Sequence, residues 1–299
     1  MKVRLYQLSL YDKIRLVIIM RVGLALSGGG IKGAAHIGVL KALQENQIPI
    51  DIIGGTSSGS IVASLASMGY TPDEILKLFH FFAKMIFKNT PTYTYPSGKK
   101  SLSIQVGGFL SGDNISYAIN ESAKYKRIKR MQDLKMKIVI PSVDIDESKK
   151  YVFTNTEEEG CYYIKNAPID TAVRASCSYP GVFAPCIYKG HKFIDGGVLD
   201  NIPVDEVKKA GADKIIAVKF GLNRRAKTKG IVGVTTKAID ILFDRRSLEE
   251  TKNANIILNI DTKNTMIFDI KKIDLCYEAG YKKTIEKIEE IKKMIEEKE

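Results

Sequence analysis

An apolar run, Ile50-Asp51-Ile52-Ile53-Gly54, breaks into Gly55-Thr56-Ser57-Ser58-Gly59, and a helical spacing follows at Ile61, Val62, Leu65 and Ala66. Strand, tight turn and helix in that order form the setting of a nucleophile elbow, G-x-S-x-G. Such a turn forces the central serine into a strained conformation and lifts its hydroxyl to the tip. The flanking glycines, Gly55 and Gly59, are required because a Cβ at either position would collide with the neighbouring strand or helix. The turn opens a helix, whose N-terminus favours developing negative charge. The plain alternative is a Ser/Gly-rich helix N-cap.

The stretch upstream decides the fold class. Val22-Gly23-Leu24-Ala25-Leu26 reads as a short strand of the buried, parallel kind. It ends in Ser27-Gly28-Gly29-Gly30-Ile31-Lys32-Gly33, and a helix is expected over residues 34–46. With the strand at 50–53 this makes a β-loop-α-β unit, hence a parallel sheet covered by helices. Gly28, Gly30 and Gly33 also satisfy the dinucleotide spacing G-x-G-x-x-G. That reading needs an acid near the end of the next strand, whereas Asp51 stands at its start. The other reading is an oxyanion hole built from successive glycine N–H groups. We favour it, because parallel neighbours present this loop and the serine turn at one sheet edge.

A serine nucleophile needs a base. The chain has three histidines, His36, His80 and His191, and none follows Asp195. His36 is expected to brace the glycine loop or pack, and His80 sits in an apolar helix. His191 and Asp195 share one strand face, but four residues at ~3.3 Å rise place them ~13 Å apart. Both cannot serve Ser57 unless the hairpin bends. A dyad remains, in which Asp195 takes the Ser57 proton directly. An ordinary carboxylate, with a pKa of ~3.9, is a weak base. Burial without a paired cation should raise it. In isolation Asp195-Gly196-Gly197 would read as a β-turn.

Further elements follow by pattern. Thr71-Pro72-Asp73-Glu74 is a helix start, and the helix it opens is apolar nearly all round, from Ile75 through Phe79, Phe82 and Met85 to Phe87. Helices are also expected from about Asn114, over 171–176, over 234–252 and over 273–298. The last should turn Ile285, Ile288, Ile291 and Ile295 to one face. Strands are expected at 137–143, 151–153 and 214–220, with a hairpin, 186–188 and 191–194, around Lys189-Gly190. Residues 1–19 show no clean period and read as a dispensable N-terminal extension. Residues 20–299 read as one domain.

The chain has no apolar run near the ~20 residues of a membrane span. Its four cysteines, Cys161, Cys177, Cys186 and Cys276, show no metal-ligand spacing and read as reduced, mostly core residues. The formal net charge is +12, and residues 84–150 hold 13 Lys/Arg against 6 Asp/Glu. No nucleic-acid motif accompanies that excess. A solvated lysine-rich surface and an anionic-membrane-facing patch both fit it. Residues 75–130, the apolar helix and part of that basic stretch, are expected to form an apolar mouth near the serine and a membrane-facing cap, the alternative being plain core under a solvated surface.

Three motifs at one sheet edge are more specific than any one of them, and here the sequence resembles the patatin-like phospholipase family. Residues 27–33 are similar to its G-G-G-x-[KR]-G loop, Gly55 to Gly59 to its serine elbow, and Asp195-Gly196-Gly197 to its D-G-[AG] motif. The likeness runs through Val173-Arg174-Ala175-Ser176, Pro180-Gly181-Val182-Phe183, Asn201-Ile202-Pro203 and Gly211-Ala212-Asp213, over roughly residues 21–290. Two departures stand out: Ser27 where many members carry Asp, and Ser178-Tyr179 in place of a small-residue pair. The resemblance implies a three-layer α/β/α fold with a mainly parallel sheet. It implies a Ser57–Asp195 dyad, an oxyanion hole from Gly28, Gly29 and Gly30, and hydrolysis of lipid acyl esters with no cofactor and no metal. Lys32, Gly33, Gly55, Gly59, Gly196 and Gly197 would support those motifs. The partners expected are a lipid or phospholipid ester and an anionic membrane surface, not nucleic acid, with a cytoplasmic place on the inner face of a membrane. Two rivals are an acyltransferase, whose G-H-S-x-G has Thr56 in place of histidine here, and a lipid-binding or regulatory protein on the same fold.

Overall fold

The computed structural model describes residues 20–88, 110–158, 160, 162–221 and 230–297. The expectations for residues 1–19 and for Cys161 lie outside those residues, as do residues 89–109 of the expected mouth and cap.

Among the described residues nine strands form the sheet: β1 (Val22–Leu26), β2 (Ile52–Gly55), β3 (Lys137–Asp144), β4 (Lys149–Thr154), β5 (Tyr163–Lys165), β6 (Cys186–Tyr188), β7 (His191–Asp195), β8 (Lys214–Phe220) and β9 (Ile256–Ile260). The main path runs β5-β4-β3-β2-β1-β8-β9, and β7 joins β3 and carries β6. The pairs β3–β2, β2–β1, β1–β8, β8–β9 and β4–β5 along that path are parallel. The hairpin β6–β7 and the pairs β3–β4 and β3–β7 are antiparallel. The sheet is therefore mainly parallel and flanked by helices.

Strand β1 shows why both faces are covered. All five of its residues are buried, and they alternate between two cores. Val22, Leu24 and Leu26 join the larger cluster, and Ala25 joins the smaller. The larger is built by α1 (Ala34–Glu45), α2 (Ser58–Ser67), α3 (Pro72–Lys88), α4 (Asp113–Tyr125), α5 (Ile169–Ser176) and, later in the chain, α8 (Ile273–Glu286) and α9 (Ile288–Glu296). The smaller lies under the short helix α6 (Val204–Lys209). Helix α7 (Gly230–Glu250) lies between α6 and α8 in the chain.

Helix α3 begins where the Thr-Pro-Asp-Glu pattern places it. The Thr71 N–H donates to Glu74 Oε2 at 2.8 Å, and the Glu74 N–H donates to Thr71 Oγ1 at 3.3 Å, a capping box ahead of Pro72.

Three details differ from the pattern-based reading. Strand β2 starts at Ile52, and Asp51 just ahead of it meets Val22 twice, its Oδ2 accepting from the Val22 N–H at 2.8 Å and its own N–H donating to the Val22 carbonyl at 2.9 Å. Strand β9 was not expected, although Ile256, Leu258 and Ile260 are buried and Ile257 and Asn259 face out, the alternation of a half-buried edge strand. The C-terminal helix is two helices, α8 and α9, broken at Lys287. Ile285, at the end of α8, is exposed, while Ile288 and Ile291 of α9 are buried. Among the described residues no helix is long and apolar enough to cross a membrane.

Candidate active site

Ser57 joins β2 to α2 with φ 52° and ψ −123°, a conformation that a non-glycine residue adopts only under constraint. The constraint is visible on both sides. A Cβ at Gly55 would stand 2.3 Å from the Gly59 carbonyl oxygen, and one at Gly59 would stand 2.5 Å from that of Leu26. Only glycine lets the turn close this tightly beneath β1. The Ser57 N–H is engaged, donating to Ser176 Oγ at 3.0 Å.

Asp195 ends β7, opposite Ser142 of β3, and is fully buried. Its Oδ1 accepts from the Gly197 N–H at 2.8 Å. Its Oδ2 has no hydrogen-bond partner among the described residues, and Ser57 is the side chain that acts on the carboxylate's titration. Burial pushes the Asp195 pKa up to about 7, against the smaller opposing pulls of Ser57 and the Gly197 N–H. No cation forms an ion pair with it among the described residues. Cys177 is buried beside the same pair, and burial pushes its thiol up to about 12, so it is not a competing nucleophile at neutral pH.

The glycine loop follows β1 at the same edge. The Gly28 N–H is already taken, donating to Asn201 Oδ1 at 3.1 Å and to the Asn201 carbonyl at 3.3 Å. The Gly29 and Gly30 N–H groups have no hydrogen-bond partner among the described residues. The loop is pinned on its far side, where the Ile31 N–H donates to the Ile267 carbonyl at 2.9 Å. Lys32 is 7% exposed and lines the cavity described below. Burial lowers its pKa, against the attraction of Asp240.

The histidines separate cleanly. His36 Nε2 bonds the Ser27 carbonyl at 2.8 Å, and burial pushes the ring down to about 4, so it is a neutral brace for the loop. His80 pairs with Asp274 at 2.7 Å near the surface. His191 has an acid that its strand spacing from Asp195 does not supply, for its Nδ1 lies 2.7 Å from Asp144 Oδ2 and 3.6 Å from Glu147 Oε1. These three side chains bring donor atoms within 4.8 Å of one another. They sit at the other end of β7 from Asp195, because β3 runs antiparallel and sets Asp144 opposite Phe193. His191→Ala is expected to keep at least half of any esterase activity. An enzyme as inactive as Ser57→Ala would favour a Ser57–Asp144–His191 triad instead.

Above Ser57 opens a cavity with about 1160 Å³ of open space, mouth included. Phe79, Phe82, Ala83 and Ile86 of α3 and Ile115 of α4 form an apolar wall. Lys32, Lys219, Asp240 and Asp244 stand elsewhere on its lining. The near-continuous apolar character of α3 is thus explained for Phe79 and Phe82, which are buried at the cavity, while Phe81 points outward. Tyr179, one of the two departures in the sequence, also lines the cavity.

Two residues quoted only as parts of longer motifs prove to hold the site. Ser176 fixes the elbow and Asn201 fixes the glycine loop. Their signal was the adjoining Pro180-Gly181 and Pro203 turns, which mark loops but name no partner.

The model of the family described as Patatin-like phospholipase matches residues 24–208. Lysophospholipase NTE1 of Meyerozyma guilliermondii is 34% identical over 216 residues, which is 70% of this chain and 13% of that protein. A patatin-like phospholipase domain-containing protein of Caenorhabditis elegans is 31% identical over 207 residues, 67% of this chain and 14% of that protein. The chain therefore spans about an eighth to a sixth of the length of the curated relatives it matches. Among solved structures, VipD from Legionella pneumophila superposes with a TM-score of 0.50 at 14% identity, covering 91% of this chain and 67% of that one. At that identity the likeness speaks for the fold alone.

Proposed function

The chain belongs to the patatin-like phospholipase family, and from that membership we propose that it is a serine hydrolase of lipid acyl esters, with Ser57 as nucleophile and Asp195 as its base. The observation that carries the reading is the buried Asp195, raised to about 7 beside a strained serine under an apolar cavity. A carboxylate near 7 is a far better proton acceptor at neutral pH than one near 4.

Ser57 Oγ attacks the ester carbonyl carbon as its proton passes to Asp195. The Gly29 and Gly30 N–H groups receive the oxyanion, and Gly28 serves as the anchored base of that loop rather than as a donor. Collapse expels the alcohol, which takes the proton from Asp195 and leaves the acyl group on Ser57. Water then attacks the acyl carbon and gives a proton to Asp195, and Ser57 leaves with that proton as the fatty acid departs. The acyl chain lies along Phe79, Phe82 and Ile86, where each buried CH₂ adds ~0.8 kcal/mol. Contact with an anionic membrane, drawn by the excess of lysine and arginine, belongs to the same reading.

The reading is tested with the purified protein against a panel of esters graded in chain length, with and without a phosphate head group. Rates should rise with chain length until the cavity is filled. The pH profile of kcat/KM tests the base. Asp195 must be unprotonated to act, and its raised pKa means that it loses its proton only near 7. Activity should therefore climb as pH rises through about 7 and level off above it. An acid limb centred near 4 would remove Asp195 from the role of base.

A further inference from the structure

Helix α7 lies beyond the residues that the family model matches, yet one of its faces closes over the loop that follows Asp195. Phe243, Arg246 and Glu250 fall on successive turns of that face. The Phe243 ring fills the space beside Gly197, where an added Cβ would lie 2.7 Å from it. The Arg246 guanidinium donates to the carbonyls of Val198 and Leu199. Glu250 Oε1 accepts from the Asn201 N–H at 3.0 Å, and the Ile202 N–H acts on the same carboxyl.

Asn201 is the next link, since its carbonyl and its Oδ1 both accept from the Gly28 N–H. Gly28 leads directly into Gly29 and Gly30. The Glu250 side chain is 8% exposed, and its Oε2 has no hydrogen-bond partner among the described residues. Leaving a buried polar atom idle costs ~1–3 kcal/mol, so an apolar side chain of similar size would pack there at lower cost. What such a side chain cannot supply is the acceptor for the Asn201 N–H.

We propose that Glu250 is a positioning residue for the oxyanion loop: by fixing the Asn201 peptide it fixes the acceptors that hold Gly28, and so the aim of the Gly29 and Gly30 N–H groups. This rests on the hydrolase reading above. The groups that act on Glu250 are Asp200, which raises its pKa, and Arg246, 3.6 Å away, which lowers it. Burial dominates and holds the carboxyl at about 7. Near neutrality much of it is protonated, and glutamine is a close mimic of that form.

The test compares Glu250→Leu, Glu250→Gln and, as a packing control on the same helix end, Thr251→Val, which loses the bond from Thr251 Oγ1 to the Ser247 carbonyl. Two readouts are taken on the full chain: kcat and KM on p-nitrophenyl butyrate, and hydrogen–deuterium exchange of the peptide covering residues 27–33. Glu250→Leu should lower kcat on the order of 10–100-fold with KM within about threefold, the effect of misplaced donors rather than of lost binding. Its 27–33 peptide should exchange faster. Glu250→Gln should match the wild type in both readouts, and Thr251→Val should lower the melting temperature while leaving both unchanged. Should Glu250→Leu not fold, Glu250→Asp, which draws the acceptor back by one methylene, carries the same test.

Unchanged exchange over 27–33, wild-type kcat in Glu250→Leu, or a Glu250→Gln protein as impaired as Glu250→Leu would each overturn the proposal. The exchange readout needs no turnover. A wild-type protein that hydrolyses no ester, with exchange of 27–33 still faster in Glu250→Leu, would keep the clamp and remove the hydrolase reading.

Discussion

Asp195→Asn is expected to abolish ester hydrolysis and, above pH 7, to make the protein harder to unfold. The first effect follows from the chemistry, because an amide cannot take the Ser57 proton. A loss of at least ~10³-fold is expected, matching that of Ser57→Ala, since the two act as one unit. The second follows from linkage. The folded-state pKa of Asp195 is raised from 3.8 to about 7 by burial. Between those values the native chain holds a proton that the unfolded chain has lost, so this group's contribution to stability falls as pH rises through that window. The ionised carboxylate is thus a standing destabilisation above pH 7, and asparagine removes it. Each pKa unit corresponds to ~1.4 kcal/mol, so the ceiling is about 4 kcal/mol. The buried amide nitrogen left without an acceptor offsets ~1–3 kcal/mol of that. Denaturant titrations at pH 5 and pH 8.5 should show the advantage of Asp195→Asn growing with pH. An advantage that shrinks with pH would mean that Asp195 is not held above its ordinary range.

Gly30→Val should be the most damaging single change in the glycine loop. Gly30 has φ +58°, which a β-branched residue rarely adopts, and its Cβ would stand 2.3 Å from the Ile267 carbonyl oxygen. That carbonyl is the one that pins Ile31, so the clash moves the loop off its support. Moving an oxyanion donor out of place costs ~10²–10³-fold in kcat, and the strained backbone adds ~1–3 kcal/mol of destabilisation. Gly190→Ala is the matched comparison. It too has positive φ, +85°, but an added Cβ would meet nothing within 4 Å. It should lose stability alone, and steady-state kinetics on a soluble ester should find it fully active. A Gly30→Val protein that keeps wild-type kcat would take Gly30 out of the oxyanion hole.

The elbow, the glycine loop and the Asp-Gly-Gly turn were readable in the sequence because each is a local backbone requirement. A strained serine needs glycine two residues to either side, whatever the rest of the chain does. The parallel core was equally legible, since β1, β2 and β8 are apolar on both faces and a strand covered on both sides has no polar alternation to hide it. Strand β9 is hard to read from sequence because its period-2 pattern lies on a short edge strand right after a long helix. The break at Lys287 was hidden because the isoleucine spacing continues across it.

Long-range contacts decided the rest. Whether a glycine N–H is free for an oxyanion depends on what lies opposite it. Opposite Gly28 lies Asn201, 173 residues away, and behind Asn201 lies Glu250. Whether a histidine has an acid depends on strand register, and the register of β3 with β7 brings Asp144 to His191 while leaving both away from Asp195. The basicity of Asp195 is the clearest case. The residue type supplies only an ordinary carboxylate, and the sheet and the loops packed around it exclude the water that would keep it one. Turn chemistry is encoded by neighbours in sequence, whereas solvation and partnership are properties of a place, and only the folded chain makes the place.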